Sequence, residues 1–270
     1  MNLRLGHIVY SNCFPVHARL LDQPRGEDPT LVEGVPSLLN ALLAAGKIDV
    51  APCSSIEYAR HTGRYRILPD LVIGSRGAVR SILFLSRSDP EELSDRIVAL
   101  PNASATSTVL LKILLRRRWK VQPRFRAFDQ AATDPFADGA DAALFIGDVA
   151  LRPELHPEVP VRLDLGAEWY DETGLPFAFA VWQASGGDAE AWTRLHRVLL
   201  ESRAYGAEKR AELAERWSGR FGFAADFLET YWRDLVFQLD AEMIEGLRTF
   251  YRYAAEIGEV PAVPNFRWAH

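Results

Sequence analysis

The stretch Ile97-Val98-Ala99-Leu100-Pro101-Asn102-Ala103-Ser104-Ala105-Thr106-Ser107-Thr108 reads as a strand that runs directly into a helix. Arg96 to Leu100 is a short apolar run, and Val109, Leu110, Ile113 and Leu114 then recur at helical spacing before Arg116-Arg117-Arg118. Three cations there complement the helix dipole, a simpler reading than a basic patch. Between strand and helix lies a cluster of small hydroxyl residues. Two other places repeat this arrangement. Ile48-Asp49-Val50-Ala51 is a short strand followed by Ser54 and Ser55, either of which caps a helix with Glu57 in its first turn. Leu3 to Val9 is a strand followed by Tyr10-Ser11-Asn12 and a helix from Phe14 to Leu21, with Pro15 in the first turn, where proline is tolerated.

The alternation continues outward from these junctions. Pro36 to Ala45 is a helix that stops at Gly46. Strands follow at Ser81 to Ser86, Arg124 to Phe128, Ala142 to Ile146 (breaking at Gly147-Asp148) and Phe177 to Trp182. From Asp188 the chain is almost all helix, and Met243, Leu247, Phe250, Tyr251 and Ala254 share one face of its last segment. Strands alternating with helices imply an α/β fold with largely parallel sheets. Two such blocks and a helical tail imply two lobes. The expected division is 1–87 with 177–270 as the first lobe and 88–176 as an inserted second lobe, the tail packing on the first.

Composition narrows the function classes. The 270 residues are 48% hydrophobic and 25% charged, with a net charge of −5. An acidic chain is a poor nucleic-acid binder, so no such partner is expected. No apolar run is long enough to span a membrane, and no signal-peptide core follows Met1 to His7, so the expected location is the cytoplasm. There is no G-x-G-x-x-G, P-loop, G-x-S-x-G or C-x-x-C, and histidines 7, 17, 61, 156, 196 and 270 show no metal-ligand spacing. Neither metal nor cofactor is expected. Cys13 and Cys53 read as small buried hydrophobes, with a bridge between them left open. Oligomeric state is also left open.

In open α/β sheets ligands bind beyond the carboxyl ends of the strands, where helix N-termini offer unpaired N–H groups. Ser11, Ser54, Ser55, Ser104, Thr106, Ser107 and Thr108 all fall at such ends, and their hydroxyls can hold carboxylates without net charge. The competing reading is that they only cap helices. Asn12 is the sharpest residue, an amide just past the first strand. His17 reads as a surface or packing histidine. Asp148 and Glu168 lie near strand ends, and Glu168 reads more simply as a first-turn helix residue than as a base.

Gly6-His7-Ile8-Val9-Tyr10-Ser11-Asn12-Cys13-Phe14-Pro15 resembles the opening motif of the chorismate dehydratases of the futalosine route to menaquinone. Gly34-Val35-Pro36, Leu39-Asn40 and Gly46 to Tyr58 resemble the same family, as do Val79-Arg80-Ser81, the hydroxyl cluster at 104–108 and Ile146-Gly147-Asp148. The resemblance implies a two-lobed fold like that of type II periplasmic binding proteins, with a ligand cleft between the lobes. It implies elimination of water from chorismate without a cofactor. Asn12 is then the catalytic residue, and Ser11, Ser54, Ser55, Ser81, Ser104, Thr106, Ser107, Thr108, Gly147 and Asp148 bind substrate. The sequence offers no obvious strong base; the substrate's own side-chain carboxylate is one candidate proton acceptor, and its identity is left open. Two alternatives remain: a sister lyase forming 1,4-dihydroxy-6-naphthoate, whose opening motif differs, and a non-catalytic small-anion binding protein.

Overall fold

The structure, a computed structural model, describes residues 3–61, 63–152 and 154–269. Along the chain the strands are β1 (Arg4–Ile8), β2 (Thr30–Gly34), β3 (Val50–Ser54), β4 (Arg66–Ser75), β5 (Ile82–Ser86), β6 (Ile97–Pro101), β7 (Arg124–Phe128), β8 (Ala142–Ile146), β9 (Val161–Asp164) and β10 (Phe177–Ala184). The helices are α1 (Phe14–Asp22), α2 (Pro36–Ala44), α3 (Ser55–Arg60), α4 (Ala105–Arg117), α5 (Leu165–Thr173), α6 (Ala189–Glu208), α7 (Arg210–Phe221), α8 (Ala225–Asp234) and α9 (Ala241–Glu256). The chain divides into two compact units: Met1–Gly74 with Ala178–Ala241 and Pro264–His270, and Ser75–Phe177 with Glu242–Val263.

The first unit holds a five-stranded sheet in the order β2-β1-β3-β10-β4. β1 is parallel to β2 and β3, and β10 enters antiparallel to β3, Ala180 facing Ser54. Every residue of β3 and β10 is buried, as befits central strands covered on both faces. Gly46, at φ +65°, ends α2 in the left-handed conformation that glycine adopts without steric cost.

The second unit holds a five-stranded sheet in the order β7-β6-β8-β5-β9. β6 is parallel to β7 and β8, while β5 is antiparallel to β8 and β9. Leu85, Ala99, Phe128, Phe136, Ala143 and Phe145 form part of its core. Phe250 of α9 packs edge-on against Phe177 and Trp169, with ring centroids 5.0 and 6.3 Å apart. Arg117 reaches Glu256 at 2.6 Å and Lys112 reaches Glu259 at 2.6 Å, fastening the end of the chain to α4.

Two expectations are corrected. The first boundary falls at Gly74/Ser75, not at 87/88, because Ile82–Ser86 pairs with β8 and β9 and so belongs to the second sheet. The tail also divides: α6, α7 and α8 stay with the first unit, and α9 goes with the second. Arg117 and Arg118 do more than complement a dipole, since Arg118 pairs with Glu168 at 2.9 Å.

Candidate functional site

β1 and β3 run parallel, so their carboxyl ends lie along one edge of the first sheet. Beyond β1 the chain makes a 3-10 turn, Ser11–Cys13, before α1. That turn is held from below: the Trp232 indole donates to the Ser11 carbonyl at 2.9 Å, and the Phe14 ring stacks on Trp232 at 5.0 Å. Ser11 and Cys13 are fully buried. Asn12 between them is only partly buried, and its Oδ1 is enclosed without a hydrogen-bond partner among the described residues. A buried amide oxygen without a partner is costly, and such groups concentrate where function requires them.

Behind this turn lies a polar chain that the sequence did not reveal. Trp182 Nε1 donates to His17 Nε2 at 3.2 Å, and His17 Nδ1 meets His7 Nδ1 at 2.9 Å. An indole N–H can only donate, so His17 Nε2 is bare and its proton sits on Nδ1. His17 therefore donates to His7, whose proton sits on Nε2. Burial holds both rings neutral, lowering His7 to about 4, with the Arg220 charge adding to the effect, and lowering His17 well below its ordinary value. His17 is thus a packing histidine, fully buried, and not a surface one. His7, Cys13 and His17 are also close enough to share a metal ion. The proton on His17 Nδ1, imposed by Trp182, points at the other two ligands, and burial raises the Cys13 thiol to about 12. The donor set does not fit a metal. Both cysteines are free thiols. His270 lies outside the described residues.

Beyond β3 the turn into α3 is clamped by side chains from other elements. Asn40 Oδ1 accepts from Ser54 N at 3.2 Å, and Gln183 Nε2 donates to the Ser54 carbonyl at 3.1 Å. Ser55 Oγ donates to the Ala178 carbonyl at 2.8 Å, so it serves the fold. The Ser54 hydroxyl does not cap α3.

In the second unit, the carboxyl ends of β6, β8 and β9 and the start of β5 share one edge of the sheet. Gly147, at φ +63°, donates its N–H to the Ser81 carbonyl at 2.8 Å, bringing those two residues together, with Asp148 next in the same turn. Ser81 is fully buried and its Oγ has no partner among the described residues. The cluster at the head of α4 is different. Ser104 Oγ caps the helix by accepting from Ser107 N at 3.3 Å and donates to Ser107 Oγ at 3.0 Å. Thr108 Oγ1 donates back to the Ser104 carbonyl at 2.8 Å. Thr106 is buried at the first turn. Capping is thus what Ser104 does.

Sequence reasoning missed Gln183 and Asp164. Gln183 is fully buried, and its Oε1 has no partner among the described residues. Its signal was a lone amide in the apolar run Phe177–Ala184. Asp164 caps α5 and also accepts from Val79 and Arg80. Burial raises its pKa, against the lowering effect of those backbone N–H groups. Glu168 is a first-turn residue of α5 bound to Arg118. A groove of about 660 Å³ lined by Arg19, Arg25, Arg194 and Arg197 lies beside Leu3, at the amino end of β1 and away from these turns. Among the described residues no helix is long and apolar enough to cross a membrane.

Two mixed sheets with this strand order, each presenting polar turns at its strands' carboxyl ends, define a protein of the periplasmic-binding-protein fold class. A crystal structure of an Archaeoglobus fulgidus protein matches with TM-score 0.79 and 18% identity, over 96% of this chain and 98% of that one. The periplasmic aliphatic sulphonate binding protein of Escherichia coli matches with TM-score 0.65 and 15% identity, over 97% and 89%. These likenesses carry the fold. The chain belongs to the menaquinone biosynthesis family, whose model matches residues 3–256. It is 31% identical to the chorismate dehydratase of Thermus thermophilus, over 97% of each chain.

Proposed function

We propose that this protein is a chorismate dehydratase of the futalosine route to menaquinone, working in the cytoplasm. The observation that carries the reading is the 31% identity to the Thermus thermophilus enzyme along nearly the whole of both chains, within the menaquinone biosynthesis family. Chorismate has two carboxylates, a ring hydroxyl and an enolpyruvyl ether. Elimination breaks the ring C–O bond, releasing hydroxide, and a ring C–H bond, releasing a proton. The two leave as water, and the ring becomes aromatic in 3-[(1-carboxyvinyl)oxy]benzoate. Aromatisation supplies much of the driving force. The protein's tasks are to orient the substrate and stabilise the departing hydroxide.

On this reading Asn12 addresses the ring hydroxyl, since its amide sits on a rigid turn with an oxygen already removed from water. Ser54 and Ser81 are the hydroxyls best suited to carboxylates. Ser11, Gly147 and Asp148 shape the turns around them. Ser55, Ser104 and Thr108 contribute backbone and fold more than hydroxyl contacts, because their side chains already donate elsewhere. Ser107 and Thr106 stand at the N-terminus of α4, whose dipole favours an anion. The proton acceptor is the substrate's own side-chain carboxylate. Two carboxylates of the second unit are already engaged: Glu168 is bound to Arg118, and Asp164 is occupied by four backbone N–H groups.

The test is incubation of metal-free protein with chorismate and mass analysis of the products. Loss of one water supports the reading. Binding without turnover would point to a receptor, and intact chorismate without binding would overturn both.

A further inference from the structure

Asp164 lies at the end of β9, where it caps α5: its Oδ1 accepts from Gly166 N at 2.9 Å and from Ala167 N at 3.1 Å. That role needs one oxygen. The second reaches across to another segment, where Oδ2 accepts from Arg80 N at 2.5 Å, while Val79 N is shared between Oδ1 at 3.0 Å and Oδ2 at 3.1 Å. Arg80 stands at φ +63°, in the left-handed region that a non-glycine residue occupies only at a steric cost. The next residue is Ser81, with its enclosed and unpartnered hydroxyl. The segment is also pressed from one side. A Cβ on Gly166 would stand 2.5 Å from the Gly77 carbonyl and 2.7 Å from Ser75 Oγ, so only glycine lets α5 approach this closely.

We infer that Asp164 is a positioning residue for Ser81: one carboxylate oxygen starts α5, and the other holds Arg80 in its left-handed conformation and so fixes the direction in which the Ser81 hydroxyl points. The carboxylate does not touch the reacting atoms. It acts through one strained peptide, and the strain supplies the test. The inference rests on the chorismate dehydratase reading only for its kinetic readout.

Asp164→Asn separates the two roles. Asparagine is as good an N-cap as aspartate, so an amide with its oxygen toward Gly166 and Ala167 keeps α5. Its NH2 then faces the Arg80 N–H, donor against donor, and Arg80 relaxes to negative φ. A glycine in place of Arg80 occupies the left-handed region without that cost. The experiment measures kcat and KM for Asp164→Asn in the natural background and in an Arg80→Gly background, with the unfolding midpoint of each variant. Amide hydrogen exchange at residues 79–81 is followed in parallel. The expected result is that Asp164→Asn raises KM about ten-fold with Arg80 present and about three-fold or less in the Arg80→Gly background, with a smaller change in kcat, while thermal midpoints show no such recovery. Protection of the Arg80 amide falls in Asp164→Asn whether or not the protein turns over chorismate. That readout keeps a failure of the functional reading distinct from a failure of this one. An equal rise in KM in both backgrounds, or an Arg80 amide as protected as in the parent, overturns the inference.

Discussion

After β3 the chain places Ser54 and Ser55 at the head of the six-residue helix α3, and after β6 it places Ser104, Thr106, Ser107 and Thr108 at the head of the thirteen-residue α4. The two junctions look alike in sequence. In the first, the turn is braced from outside by Asn40, Gln183 and the Ala178 carbonyl, so the Ser54 hydroxyl has no capping duty. In the second, the Ser104 and Thr108 hydroxyls are consumed by the helix they begin. A hydroxyl at a helix start is available to a ligand when something else satisfies the turn, and the amides that do so come from distant elements.

The largest expected effect is at Asn12, in the turn after β1, which Trp232 braces from a distant element as Gln183 braces Ser54. Asn12→Ala is expected to lower turnover of chorismate by about a hundred-fold, with a much smaller change in binding. Wild-type turnover would remove Asn12 from the chemistry.

The buried pair of His7 and His17 behind the turn after β1 is open to acid. In the unfolded chain His7 and His17 take up protons as pH falls through about 6.5, whereas in the folded chain His7 does so only near 4 and His17 well below its ordinary value. Stability is therefore full above pH 6.5 and is lost as pH falls from there toward 4. Urea unfolding at a series of pH values is expected to show a decline over that window, of which His7 alone accounts for about 3 kcal/mol. A flat profile would mean that the pair does not support the turn above it.

Ser54→Ala sharpens the contrast. It is expected to raise KM for chorismate about ten-fold, as for loss of a hydrogen bond to a charged group, and to leave the thermal midpoint nearly unchanged. Ser104→Ala is expected to do the reverse. It removes a cap worth about 1 kcal/mol, lowering the midpoint by a few degrees while KM changes by less. If the two serines behaved alike, the distinction drawn between the junctions would fall.

The central strands were legible because burial on both faces leaves a dense apolar run, as in β3, β5, β8 and β10. The strands that sequence reading passed over, β2, β4 and β9, are all edges of their sheets. β2 and β9 have little to bury, whereas β4 is mostly buried but is interrupted by Pro69 and a left-handed Asp70, which an edge tolerates and a central strand would not. The misplaced first boundary follows from this. With β4 unread, β5 looked like the last strand of the first lobe. The junctions themselves were legible, and Asn12, Ser54 and Ser81 emerge from them with open or enclosed polar groups. What braces them was hidden by sequence distance: Trp182 is 165 residues from His17, and Gln183 is 129 from Ser54.

The route of β10 has a consequence for how the chain is made. The second sheet is complete once residue 164 has been synthesised, because its five strands follow one another without interruption. The first sheet waits for β10, and Ser55 cannot meet the Ala178 carbonyl until 123 further residues have emerged. On the ribosome the internal segment can therefore close its sheet first, while β1, β3 and their polar turns stay unfinished. The sheet that begins the chain is the sheet that closes last, and a chaperone would meet β1 and β3 with an open flank.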